Sequence, residues 1–200
     1  FGAYDLTPCE DVLVTGCTFE NVHSGVGSHN SALNGGVQVT HKNIWVIGNY
    51  FKDTKLAAIR TESWEKAIIA HNHVINAGDN GIHIWASHEI VVFGNTVDTA
   101  VEHGISLIRL TVDTTTIAPS RITVLGNIIK NARTGIRALQ ATNSTFANNR
   151  IYGVREQGIY FSQFISDMLI EGNYIEGPSQ SGTFAGIEIR DSVRVRVVGN

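Results

Sequence analysis

Eight times along 200 residues the chain returns to one short pattern, an alternating apolar segment closed by Gly-Asn or a variant of it. The copies are VLVTGC (12–17), IWVIGN (44–49), AIIAHN (67–72), IVVFGN (90–95), ITVLGN (122–127), STFANN (144–149), MLIEGN (168–173) and VRVVGN (195–200). The first ends in Cys17 where the others end in Asn, and from Asn49 onward the asparagines are 23, 23, 32, 22, 24 and 27 residues apart. A second landmark, a small residue followed by an apolar one, starts at Gly36, Ala58, Gly81, Gly104, Gly135, Gly158 and Gly186 (GVQV, AIRT, GIHI, GISL, GIRA, GIYF, GIEI). From this landmark to the next Asn is 13 to 15 residues, except 23 after Gly104; from Asn to the next landmark is 8 or 9, except 19 after Cys17 and 13 after Asn173. The exceptions place insertions near 23–34, 110–119 and 178–183.

Each unit holds short segments of period two, broken by Gly or Asn, with no helical stripe. Such a unit cannot bury its own apolar face and must stack on copies of itself. The expected fold is all-β: one domain over 1–200, a single-stranded parallel β-helix (solenoid) of about eight coils of ~23 residues, roughly 38 Å long at the strand spacing of about 4.8 Å. The repeated Asn fits an internal ladder of side-chain amides. Asn200 completes a landmark in mid-repeat, so the chain is expected to be a fragment of a longer β-helix.

Composition narrows the function classes. Fifteen Lys and Arg stand against 18 Asp and Glu, which lacks the basic excess of a dedicated nucleic-acid binder. No run of 18 apolar residues exists, so no membrane span is expected, and residues 1–5 (FGAYD) do not read as a retained signal peptide. Cys9 and Cys17 are too few for a disulfide framework and read as two free, buried thiols. All eight histidines fall in the first 103 residues, which puts any chemistry in that half.

These residues resemble the repeat of the right-handed parallel β-helix of the pectin-lyase-like superfamily, over residues 9–200. That superfamily includes polysaccharide lyases, glycoside hydrolases, uronan epimerases, phage tailspike depolymerases and adhesins, so the resemblance implies a fold and a range of chemistries. It implies a carbohydrate-active protein at a secreted, periplasmic, cell-surface or virion-surface location. The alternatives within it are a lyase acting by β-elimination on an acidic polysaccharide, a glycoside hydrolase or tailspike depolymerase, and a non-catalytic glycan-binding adhesin or structural β-helix.

In the small-Ile-x-Ile strand, offsets +1 and +3 point inward and +2 and +4 outward. Stacking gives a +2 column of Gln38, Arg60, His83, Ser106, Arg137, Tyr160 and Glu188, and a +4 column of Thr40, Glu62, Trp85, Ile108, Leu139, Ser162 and Arg190. The two long insertions are expected to flank this face and form a groove, the placement that the resemblance also implies. For β-elimination a neutral base takes the proton α to a carboxylate while a cation stabilises the charge. His83 or His41 is the candidate base, Arg60 the stabiliser and Glu62 an acid partner. Trp85, Arg109, Arg137, Gln38, His29, Asn30 and Asn34 are candidate substrate contacts, with Trp85 as an apolar plane and the arginines as carboxylate partners. Hydrolysis needs two carboxylates, and only Glu62 is well placed, with Asp113, Glu65 and Asp79 more distant.

No metal or cofactor site is expected. His71, His73 and His88 read as turn or surface histidines without a completing ligand set, and no acidic cluster suits calcium. Trp45, Ile47, Ile68, Val91, Phe93 and Leu125 should point outward before each Asn, an apolar stripe that suits a homotrimer contact or another part of a longer chain.

Overall fold

The computed structural model describes residues 8–28, 39–112, 115–178 and 182–200. Among them the chain is built from strands and turns alone. A first sheet stacks eight parallel strands: Glu10–Thr15, His41–Ile47, Trp64–Ala70, His88–Phe93, Thr123–Leu125, Thr142–Ala147, Ile165–Glu171 and Ser192–Val198. A second stacks Thr18–Glu20, Tyr50–Thr54, His73–Ala77, Thr96–Ala100, Ile128–Lys130, Arg150–Tyr152 and Tyr174–Glu176. A third stacks Val26–Gly27, Ile59–Glu62, Ile82–Trp85, His103–Ile108, Thr134–Leu139, Ile159–Ser162 and Ile187–Ile189. The chain visits the sheets in that order, so each coil contributes one strand to each sheet. The first turn closes on a strand of only two residues and Ser192–Val198 opens a further turn, which leaves six fully formed turns, slightly fewer than expected.

Period two explains the interior. Ile59, Ile82, Ile105, Ile136 and Ile159 form one inward column of the third sheet, and Phe51, Val74, Val97, Ile129 and Ile151 face them from the second; all are fully buried. Each such side chain contributes about 1.5–3 kcal/mol of apolar burial, and together they form one continuous core. At Gly104 an added Cβ would lie 2.3 Å from Ile129 Cγ2 and 2.8 Å from the Gly135 carbonyl oxygen. Gly81, Gly104, Gly135 and Gly158 are fixed by space in this way, while Ala58 holds the same landmark with a Cβ and Gly186 has nothing within 4 Å.

The asparagines form the expected ladder. Asn72 Oδ1 accepts both the backbone N–H and the side-chain Nδ2–H of Asn49, each at 3.0 Å, while Asn72 Nδ2 donates onward to Asn95 Oδ1 and back to the Val46 carbonyl. The same bonds recur through Asn127, Asn149, Asn173 and Asn200. The turn from the first sheet to the second takes a left-handed residue, Gly48, Gly94, Gly126 or Gly172, and His71 and Asn148 adopt it at the same position.

Two expectations need correction. Val26 pairs with Ile59 and Gly27 with Arg60, so the first strand of the third sheet follows Gly25 rather than Gly36. Cys17 to Gly25 is then the ordinary eight residues, and the extra length falls after the strand, where 29–38 lie outside the described residues. The GVQV segment at 36–39 imitates the landmark from inside the insertion. Residues 110–119 occupy the equivalent corner as a hairpin, Leu110–Val112 pairing with Thr115–Ile117. Both long insertions therefore leave the third sheet at one corner, at different levels, instead of standing on its two sides. The thiols also differ: Cys9 is half-buried and Cys17 exposed. The Cys17 backbone N–H donates to Asn49 Oδ1 and its thiol to the Thr15 carbonyl, the bonds of a ladder position. It is exposed because its strands lie at the ends of their sheets.

Candidate functional site

The inner face of the third sheet is apolar, and its outer face carries one line of largely polar side chains and a second, mixed line. Register places Arg60 beside His83, His83 beside Ser106, Ser106 beside Arg137, Arg137 beside Tyr160 and Tyr160 beside Glu188. Glu62, Trp85, Ile108, Leu139 and Ser162 run alongside in the same way. A third line, one residue before each landmark, carries Asn80, His103, Thr134 and Gln157, all buried.

At the Arg60 end, four side chains lock together. An Arg60 nitrogen lies 3.3 Å from Glu62 Oε2, and the Glu62 side chain is only 3% exposed. The Arg60 guanidinium sits 4.4 Å above the Trp85 ring, a cation–π contact. The His83 imidazole stacks on the same indole, with centroids 5.6 Å apart and planes only 5° from parallel. Trp85 Nε1–H donates to the Arg109 carbonyl at 2.8 Å, which ties the plane to the base of the hairpin. Ser28 closes the corner by donating to the Glu62 carbonyl and accepting from Trp64 Nε1–H.

Two coils on, Arg137 Nη1 donates to His103 Nε2 at 3.0 Å. Arginine only donates, so Nε2 is the acceptor and the His103 proton sits on Nδ1. Burial, followed by the Arg137 and Arg133 guanidiniums and His83, pushes His103 down to about 3. Burial first, then Arg60 and Arg137, pushes His83 down to about 4. Both imidazoles are neutral at pH 7. The face also gathers polar atoms that find no partner: Arg60 Nε, Asn80 Oδ1, His83 Nε2, His103 Nδ1 and Ser106 Oγ make five of the eight such buried atoms among the described residues. Buried polar groups are nearly always paired, so five unpaired atoms on one face set it apart from the rest of the described residues.

Arg60, Glu62, His83 and Trp85 are thus brought together, with the Arg109 backbone beneath Trp85 and Arg137 two coils beyond His83. His41 is placed elsewhere. It begins a strand of the first sheet beside Trp64, is buried, and accepts the Cys9 N–H on Nδ1 at 3.1 Å. Burial lowers its pKa. His29, Asn30, Asn34 and Gln38 lie outside the described residues, as does Asp113. Glu65 pairs with Lys42 on the first sheet. Asp79 stands at the corner entering the third sheet, its carboxyl raised by burial and by Glu102. His71 and His73 are exposed and meet Phe93 and Tyr50 edge-on, while His88 bonds Ser120. Sequence reasoning missed His103, Asn80 and the unpaired Ser106 hydroxyl. The signal for Asn80 and His103 was the position before each landmark, where Asn80, His103, Thr134 and Gln157 recur as polar residues, and Ser106 stood already in the +2 column. On the first sheet, Trp45, Ile68 and Val91 share one outward column, and Ile47, Phe93 and Leu125 share the next.

Comparison with known proteins gives two family matches. A family model described as periplasmic copper-binding protein (NosD) matches residues 3–118, and one described as right handed beta helix region matches 112–200. Among solved structures, two of PfbA, a surface adhesin of Streptococcus pneumoniae, superpose with TM-scores of 0.65 and 0.67 at 15% and 16% identity. They cover 93% and 94% of this chain and 46% and 49% of theirs. The catalytic unit of a GH87 alpha-1,3-glucanase from Streptomyces thermodiastaticus gives 0.52 at 15% identity, over 96% of this chain and 46% of that one. The chain therefore spans about half the length of the solved structures it matches, and at these identities the likeness is one of fold.

Proposed function

From the premise that this chain belongs to the NosD family of right-handed β-helix proteins, we propose that it acts on an acidic polysaccharide laid along the outer face of the third sheet. The observation that carries this reading is the Arg60–Glu62–His83–Trp85 constellation: an aromatic plane on which a fixed cation and a neutral imidazole both pack. A glucanase and an adhesin among the structural neighbours, with the periplasmic description of the family, support a substrate outside the cytoplasm.

The family description also names copper, which these residues do not fit. Among the described residues no three His, Cys, Asp or Glu side chains converge as metal ligands. The two imidazoles of the face, His83 and His103, both feel the Arg137 cation, and His83 feels Arg60 as well, which opposes a metal ion.

The chemistry we assign is β-elimination. The substrate carboxylate meets Arg60, whose position Glu62 and the indole hold from two sides. Glu62 then serves as the counter-ion of Arg60 rather than as the acid. The side-chain amide of Asn80 lies 3.4 Å from His83 Nδ1. With the amide oxygen turned to accept the Nδ1–H, Asn80 gains a partner for that atom and His83 Nε2 keeps its lone pair. Nε2 takes the proton α to the carboxylate, the electron pair becomes the C=C bond as the C–O bond to the next sugar breaks, and the imidazolium returns the proton to the leaving oxygen. Arg60 stabilises the enolate-like charge between these events.

A second reading, recognition without cleavage, draws on the low basicity of His83, since a base is most effective when its pKa lies near the working pH. One experiment separates them. A panel of uronate and neutral polysaccharides is followed by the absorbance of unsaturated uronates, with reducing ends counted in parallel. Elimination gives absorbance that is lost in His83→Ala and Arg60→Ala, and a kcat/KM that holds steady down to about pH 5 and falls through about pH 4. Reducing ends without absorbance move the assignment to hydrolysis, and binding with neither signal leaves a recognition protein.

A further inference from the structure

We propose that Arg137 and Ser106 form a separate anion-binding point on this face, which takes one oxyanion, a carboxylate or a sulfate ester, carried by a sugar unit remote from the reacting one. This rests on the reading that a glycan lies along the third sheet. Arg137 is half-buried, yet among the described residues no carboxylate lies within ion-pair distance of it. The nearby acids, Glu102 and Glu156, are held by Arg133 at 3.0 and 2.8 Å. The hydrogen-bond partner of Arg137, His103, is a neutral ring that accepts through Nε2 and neutralises nothing.

A guanidinium stays charged in proteins, and withdrawing it from water without a counter-ion is costly. Arg60 shows the contrast, because Glu62 compensates it. At the far end of the face Arg190 likewise pairs with Glu188. Arg137 alone among these three has no carboxylate within ion-pair distance among the described residues, and feels Glu102 and Glu156 only from farther away. Beside it in register is Ser106, fully buried, its hydroxyl without a partner. An oxyanion between them would accept one N–H from Arg137 and the O–H from Ser106, with His103 fixing the plane of the guanidinium. Arg60 and Arg137 are three strand spacings apart, about 14 Å, farther than one sugar ring reaches. The two cations would therefore read acidic groups on different sugars and set both the register and the direction of the chain.

The test uses the intact chain with Arg137→Gln, which keeps an N–H for His103 but removes the charge, and with Ser106→Ala. Thermal unfolding is measured in chloride and in sulfate at matched ionic strength. Affinities are measured calorimetrically for galacturonate oligosaccharides, their methyl esters and a sulfated glycan. The expected result is a midpoint for Arg137→Gln in chloride at or above that of the wild type, and a sulfate-induced rise that is larger in the wild type than in Arg137→Gln. Affinity for the acidic oligosaccharide should fall about tenfold in Arg137→Gln and a few-fold in Ser106→Ala, with methyl-ester binding unchanged. Preference for the carboxylated or the sulfated glycan identifies the group. A lower midpoint in chloride with an unchanged sulfate response would overturn the proposal and make Arg137 a structural partner of His103. Absence of cleavage leaves these readouts intact and counts only against elimination. An Arg137-dependent sulfate response without glycan binding upholds the anion point and overturns the sugar-chain reading beneath it.

Discussion

Asn95 shows how much one side chain can carry when it repeats. Its Oδ1 accepts two N–H groups from Asn72, and its Nδ2 serves Asn127 Oδ1 and the Ile69 carbonyl, all in the interior. Replacing it by Ala leaves several buried partners unpaired, and the expected loss is about 3 kcal/mol, read as a lower urea midpoint with an unchanged slope. Histidine supplies the pH response. His83 and His103 titrate near 4 and 3 when folded and near 6.5 when unfolded, so between those values the unfolded chain binds more protons. Stability is then fully present above pH 6.5 and is lost as pH falls toward 4, by about 3 kcal/mol from His83 alone. The drop in urea midpoint between pH 7 and about pH 4.5 should shrink in a His83→Gln, His103→Gln double variant; an equal drop would move the effect to other groups. Outward alternation made Arg60, Glu62, His83 and Trp85 legible in the sequence. His103 was not, because it precedes the strand landmark, and its relation to Arg137 depends on a neighbouring coil.

At the level of the strand and its corner, space and spacing decide. Gly104→Ala drives a methyl group into Ile129 and the Gly135 carbonyl, which should cost about 1–3 kcal/mol. The hairpin of Leu110–Val112 and Thr115–Ile117 pairs with itself and with no sheet. Replacing 110–117 by a short turn should change the free energy of unfolding by no more than about 0.5 kcal/mol, while glycan affinity changes through the support of Trp85. The same corner explains where the sequence misled. Strand positions were readable wherever the landmark occurs once per coil. Between Cys17 and Asn49 it occurs twice, at Gly25 and Gly36, and only the pairing of Val26 with Ile59 decides between them.

Over the whole molecule, each strand touches the coil before and the coil after, so stability is close to a sum of nearest-neighbour interfaces. Hydrogen exchange should be slowest at the Asn72, Asn95 and Asn127 amides, which are buried between coils on both sides, and faster toward Cys17 and Asn200. Uniform protection along the ladder would instead mean all-or-none unfolding. The ladder has one more consequence, which comes from its direction. From Asn49 to Asn173 one N–H of each side-chain amide donates to the Asn of the next coil, and the other returns to a carbonyl of the coil before. Each Asn Oδ1 from Asn72 on accepts from the coil before. The amide dipoles are therefore in series, each polarising the next, with the positive pole toward the later coils. That polarity is opposite to an α-helix, whose free N–H groups lie at its start. The solenoid is thus an electrically oriented filament, and a coil can be joined to it in one sense only.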